Sequence, residues 1–301
     1  MSDHWSRFEG PTWLLIAGVY GSWLGLTWFY HELPWWLLWP AGAYVVALHG
    51  SLQHELLHGH PTSWRWLNDL LARPGLWLWL PYGIYRDSHV AHHRTDRLTC
   101  PVADPESNYM IPSQWQAMGP LTRAIHGARK TVAGRLVLGP LVAVTRLLRH
   151  ELPMLARGDR RAWRQWAAHA AATLPVLYWV MGVCGIPFWG YVAFFAYPGL
   201  ALGLLRSFAE HRPDRDQARA TAIVEASWPM ALLYLNNNLH AVHHERPGVA
   251  WYALPRLYRA EREAVLRRNG NFLFHGYGEI LRRYFLTPRD GVEHPFYRTP
   301  V

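Results

Sequence analysis

The spacing of histidines is what could do chemistry in this chain. His54-Glu55-Leu56-Leu57-His58 reads HxxxH, while His89-Val90-Ala91-His92-His93 and His240-Ala241-Val242-His243-His244 both read HxxHH. On a helix, positions i, i+3 and i+4 share a face, so each cluster can aim its imidazoles at one point. Neutral imidazole is the commonest biological metal ligand. One HxxxH can be an accidental surface pair; three clusters in 301 residues, two of them HxxHH, predict a metal site. A mononuclear zinc site needs three or four ligands, whereas His54, His58, His89, His92, His93, His240, His243 and His244 make eight. Two metals sharing the set is the economical arrangement. Imidazole suits iron, copper and zinc, and iron with open positions can activate dioxygen.

Several further residues stand close to this pattern. His211 follows a long apolar run, where the helix end faces the clusters, and is expected as a ninth ligand. His60 shares the face of His58 only if the helix ends there, which Gly59 and Pro61 favour; it is an extra or outer ligand candidate. Asn236, Asn237 and Asn238 precede the third cluster, where they can cap a helix or contact the site from outside. His49 can pack or support His54, and the other histidines are background.

The elements that position these residues are apolar. An uncharged run covers about 11–30 (PTWLLIAGVYGSWLGLTWFY), near the 20 residues a bilayer core demands. Only Arg7, Asp3 and Glu9 flank it, which predicts a retained span rather than a cleaved leader. Further spans are expected at 35–53, 166–183 and 188–206, and an interrupted Trp-rich stretch at 67–85 reads as interfacial. Segment 220–235, with Glu225 and Pro229, reads as an amphipathic interfacial element, and residues 100–165 show no long apolar run. The mean hydropathy of −0.10 understates this character, because the index scores the 18 Trp and 15 Tyr as polar.

Charge sets the expected topology. The turns 31–34 and 184–187 hold no Lys or Arg, whereas 58–165 holds 15 and 208–301 holds 13. The positive-inside rule places both termini and the middle segment in the cytoplasm. The expectation is one all-α membrane domain over 1–301: four spans in two hairpins, with a cytoplasmic helical cap carrying the histidines. The net charge of +9 fits such a face, and no nucleic-acid motif accompanies it. Cys100 and Cys184 are too few for a disulfide framework or an iron–sulfur cluster.

Two other classes remain open on the residues alone. His54-Glu55-Leu56-Leu57-His58 is a literal HExxH, in which Glu55 would be the general base of an intramembrane zinc protease. That reading leaves both HxxHH clusters unemployed. A haem or metal carrier would place histidines inside its spans, whereas these clusters flank them.

HxxxH, HxxHH and HxxHH in this order, with a long apolar gap before the last, resemble the integral-membrane fatty acid desaturase superfamily. Asn238 to His244 followed by Trp251-Tyr252-Ala253-Leu254-Pro255 is similar to the family's ending, and the likeness covers roughly residues 35–255. His54-Glu55-Leu56-Leu57-His58-Gly59-His60 resembles most the bacterial branch of rhizobitoxine desaturase and hydrocarbon oxygenases. The resemblance implies two non-haem irons held by the eight cluster histidines and His211, with dioxygen as co-substrate. It also implies desaturation or hydroxylation of a fatty-acyl or other lipid-like chain, with desaturation preferred, at a bacterial inner membrane. In acyl-CoA desaturases an Asn one turn before the extra histidine holds a metal-bound water; here Ser207 stands there. No fused haem, flavin or iron–sulfur signature is visible, so a separate ferredoxin- or cytochrome-type donor is expected.

Overall fold

The computed structural model describes residues 9–297; Asp3 and Arg7, and the final residues 298–301 of the C-terminal segment, lie outside the described residues. The chain is mostly helical. It forms two compact units from interleaved stretches, residues 1–86 with 140–203 and residues 87–139 with 204–301.

In the first unit, α1 (Gly10–Trp28) and α2 (Trp35–Leu57) form an antiparallel hairpin closed by the turn at 29–34. The 19 uncharged residues of α1 extend about 28 Å at about 1.5 Å per residue. Helix α2 runs beyond the expected limit at residue 53 and carries His54 in its last turn. A short α3 (Arg65–Ala72) follows, and α4 (Tyr82–Arg94) begins directly after Pro81.

Among the described residues, two helices are long and apolar enough to cross a membrane: α8 (Arg160–Val183) and α9 (Phe188–Glu210). Helix α8 starts six residues before the expected span because Asp159 caps it, accepting from the Ala162 N–H at 2.8 Å. Its last turn, and one turn of α9, widen to π geometry. The core of the first unit gathers Trp23, Val46, Leu76, Val180, Tyr191 and Phe195. Tyr191 keeps its hydroxyl satisfied there, accepting from the Trp23 indole at 3.0 Å and donating to the Leu76 carbonyl at 2.7 Å.

Close approach in this unit depends on glycine. A Cβ at Gly50 would stand 2.0 Å from a ring carbon of Trp77. That indole cannot retreat freely, because its N–H donates to Gln53 Oε1 at 2.8 Å. Gly50→Ala is therefore expected to cost about 1–3 kcal/mol through overpacking. A lower thermal unfolding midpoint in detergent checks this; an unchanged midpoint contradicts the tight contact.

Two expectations are overturned along the remaining stretches of the chain. Residues 100–165 contain, besides α5 (Pro112–Gln116) and α6 (Pro120–Ala128), the 25-residue helix α7 (Val132–Ala156). Helices α6 and α7 together pass the length and composition test for a broken span or re-entrant pair, bent by 120°. Arg135, near the start of α7, is buried and donates to Asn108 Oδ1 at 2.9 Å.

Segment 220–235 is not an amphipathic interfacial element: Ala220, Ala222, Ile223 and Val224 are buried. Ile223 and Val224 form β1 of a two-stranded parallel sheet with β2 (Leu273–Phe274), ahead of the short α10 (Trp228–Leu233). Pro229 is accommodated in the first turn of α10. The chain then passes α11 (His240–Glu245) and ends with α12 (Leu254–Arg268) and α13 (Tyr277–Tyr284).

Candidate metal centre

Seven of the nine expected ligands lie in the second unit. Helix α4 presents His89, His92 and His93 from one face, with His89 and His92 almost fully buried. His211 follows directly after α9. The third cluster sits on α11, introduced by a tight turn in which Leu235 and Asn236 have φ of 48° and 58°.

His92, His211, His240 and His244 offer ligand atoms that all lie within 4.8 Å of one another. His211 Nε2 stands 3.1 Å from His92 Nε2 and 2.9 Å from His240 Nε2, and His244 Nε2 stands 3.1 Å from His240 Nε2. A second convergence joins His93 Nε2 to His89 Nε2 at 3.0 Å and to His243 Nε2 at 3.1 Å. Ligand nitrogens about 2.1 Å from one ion and at right angles lie about 3.0 Å apart, so these separations suit imidazoles gathered on a metal.

The opposite ring nitrogens are anchored. His92 Nδ1 lies 2.8 Å from Asp104 Oδ1, and His89 Nδ1 lies 3.1 Å from Glu106 Oε1. His240 Nδ1 lies 3.2 Å from Asn237 Oδ1 and 3.4 Å from Glu210 Oε1. These acceptors hold the proton on Nδ1, so Nε2 carries the lone pair; ligating histidines are oriented in this way. His92 and His240 then both aim lone pairs at His211 Nε2. One N–H on His211 cannot satisfy both, whereas a cation among them can. The donor set fits a metal.

Burial and mutual repulsion favour the neutral form of four of these rings. Burial first, and then repulsion from His89 and His92, pushes His93 down to about 3. Burial and neighbouring imidazoles hold His211, His240 and His244 well below the ordinary histidine range. His92 moves upward: burial opposes its charge, but the Asp104 hydrogen bond and the charges of Glu106 and Asp104 outweigh it.

In the first unit, His54 and His58 stand one helical turn apart with ring centroids 4.8 Å from each other, and His54 is buried. His60 belongs to neither metal-competent group of histidines. Its Nδ1 lies 2.6 Å from Glu9 Oε1, and its Nε2 lies 3.8 Å from Glu55 Oε1. Glu55 is accordingly a buried neighbour of His60. Of the asparagines, Asn237 contacts a histidine, while Asn238 donates to the Val224 carbonyl at 2.7 Å and Asn236 to the Trp251 carbonyl at 2.9 Å. His49 is buried beside the Tyr20 hydroxyl at 3.3 Å.

Sequence reasoning missed Asp104, Glu106 and Glu210. A signal existed: a ligating imidazole needs an acceptor for its second nitrogen, and Asp104-Pro105-Glu106 is the acidic pair nearest the second cluster. Asp104 is itself fixed by the Thr99 and Glu106 backbone N–H groups, at 2.8 and 2.9 Å.

Comparison with curated proteins finds no match to this chain. The model of the family described as "Fatty acid desaturase" matches residues 31–276, a stretch that contains all three histidine clusters and His211. The chain therefore belongs to the fatty acid desaturase family, a family of di-iron oxidoreductases.

Proposed function

We propose that this protein is a membrane-bound desaturase that uses two irons, dioxygen and an external electron donor. It removes two hydrogens from an unactivated stretch of a fatty-acyl or similar lipid-like chain. The observation that carries this reading is the convergence of Nε2 atoms from three elements while their Nδ1 atoms are tied down. All nine histidines are assigned as ligands shared between two metals: His54, His58, His89, His92, His93, His211, His240, His243 and His244.

The irons, when bound, supply dioxygen activation and the oxidation of carbon. The chain's own contribution is orientation and dryness. Asp104, Glu106, Asn237 and Glu210 hold imidazole protons on the outer nitrogens. Burial of His89, His92, His240 and His243 excludes bulk water from their inner nitrogens.

The four-span topology is part of the proposal. Around the turns 29–34 and 184–187, the side chains of Trp28, Phe29, Trp35, Trp36, Trp39, Phe188 and Trp189 are exposed. His31 Nε2 lies 3.2 Å from the Cys184 carbonyl, so the two turns adjoin. Exposed aromatics at one end of a helical hairpin pair suit the membrane–water interface. With no Lys or Arg in either turn, that end faces away from the cytoplasm, and the basic face opposite suits an acidic donor.

Purified, iron-loaded protein with a ferredoxin-type donor, its reductase and lipid-chain substrates tests the reading by mass spectrometry of the product. Loss of two hydrogens is expected; gain of one oxygen marks a hydroxylase, and reductant-independent inertness toward every lipid chain contradicts the proposal. Glu55→Gln separates it from an HExxH protease. The variant is expected to keep most of its turnover, because Glu55 faces His60. A protease would lose its base, so peptide hydrolysis by the wild type that disappears in Glu55→Gln with the metal retained favours that class.

A further inference from the structure

The segment after α13 lies beyond the family match at 31–276, yet it ties directly onto the end of α9. Arg289 is largely enclosed there, its side chain 11% exposed. Its Nη2 donates to the His211 carbonyl at 2.5 Å, its Nη1 donates to the Phe208 carbonyl, and its guanidinium stacks 5.3 Å from the Phe208 ring centroid. The last carbonyls of a helix have no partner within it, and they carry the negative end of its dipole. Arg289 therefore acts as a cationic cap on the turn from which His211 projects.

The same segment is anchored elsewhere in the second unit. The Arg289 N–H donates to the Lys130 carbonyl at 2.8 Å, and Lys130 Nζ lies 2.8 Å from Asp290 Oδ1. Asp290 Oδ2 accepts from the Tyr109 hydroxyl at 2.5 Å and from Arg289 at 2.8 Å. Met110 and Val292 pair through their backbones at 3.0 Å, and His294 returns a bond to Met110 at 3.0 Å. These contacts brace the loop that carries Asp104, the acceptor for His92. A cavity of about 20 Å³, large enough for one water, is lined by Asp104, Tyr109, Lys130, His211 and Arg289.

We propose that Arg289 is a positioning residue for the metal assigned to His92, His211, His240 and His244. It fixes the main chain at His211, and so the direction of an imidazole that lies within 3.1 Å of two other ligands of that set. The inference rests on the two-metal reading above. The histidines of the other convergence, His89, His93 and His243, receive no hydrogen bond from Arg289 in the contacts described.

The test is metal retention in full-length, iron-supplied protein under increasing chelator, comparing wild type with Arg289→Met and Arg289→Lys. Outer partners of metal ligands are worth about 10–100-fold in metal affinity. Arg289→Met is expected to lose one of two metals at about 10–100-fold less chelator, while the other is held as in wild type. Arg289→Lys, which can still reach one carbonyl, is expected to fall between them. A merely structural role would weaken both metals together, in step with loss of folded protein, and that result overturns the proposal. Retention of both metals at wild-type affinity in Arg289→Met overturns it as well. Wild-type protein that takes up fewer than two metals overturns the two-metal reading, and this inference with it.

Discussion

Replacing His92 by alanine is expected to reduce turnover to background while the protein remains folded in the membrane. The argument is geometric. His92 is almost fully buried, its Nε2 lies 3.1 Å from His211 Nε2, and its Nδ1 is bound to Asp104 at 2.8 Å. Alanine removes the ligand and leaves Asp104, also buried, without its imidazole partner. No neighbouring histidine can substitute, because His89 and His93 are engaged with each other at 3.0 Å. Assay of product formation, alongside immunodetection in the membrane fraction, checks this. Retained turnover contradicts the assignment of His92.

The second large effect is expected at Asp104, which sequence reading did not mark. Asp104→Asn keeps the size but removes one acceptor. Oδ1 serves His92 and the Glu106 N–H, while Oδ2 serves the Thr99 N–H at 2.8 Å. If the amide oxygen stays toward His92, the amide N–H₂ confronts the Thr99 donor in a buried site. If it turns toward Thr99, the N–H₂ donates to His92 Nδ1, and the imidazole proton moves to Nε2, where the lone pair is needed. Either orientation is expected to weaken metal binding by about 10–100-fold, with turnover falling in parallel. Chelator competition measures the first and product formation the second. Glu106→Gln is expected to be milder, because its carboxylate is 30% exposed and water can replace part of its role.

What the sequence revealed followed from local periodicity. His89, His92 and His93, like His240, His243 and His244, announce their shared faces because i, i+3 and i+4 are neighbours on any helix. His211 was legible from its place at the end of an apolar run. Asp104 and Glu106 were not, because a loop held by backbone N–H groups has no period to read. Gly59 and Pro61 make His60 a ligand candidate in the sequence, while its partner Glu9, 51 residues away, is invisible to any local pattern. Glu225 and Pro229 made 220–235 look amphipathic. In the fold Glu225 accepts from Tyr258 at 2.8 Å and Arg262 at 2.7 Å on α12, while its neighbours complete a buried strand. Helix α7 was hidden by its arginines: burial of Arg135 depends on tertiary partners such as Asn108. The capping of α9 by Arg289 lies 78 residues beyond His211, outside any local pattern.

The central claim is a pair of metals held by histidine. Its most direct test is the metal content of the purified chain, measured by elemental mass spectrometry after growth with iron supplied. The account predicts about two irons per chain, with the metal of its set missing from the His92→Ala variant. One zinc per chain without iron, unchanged in His92→Ala, would contradict it and point to the HExxH pair at His54 and His58 instead.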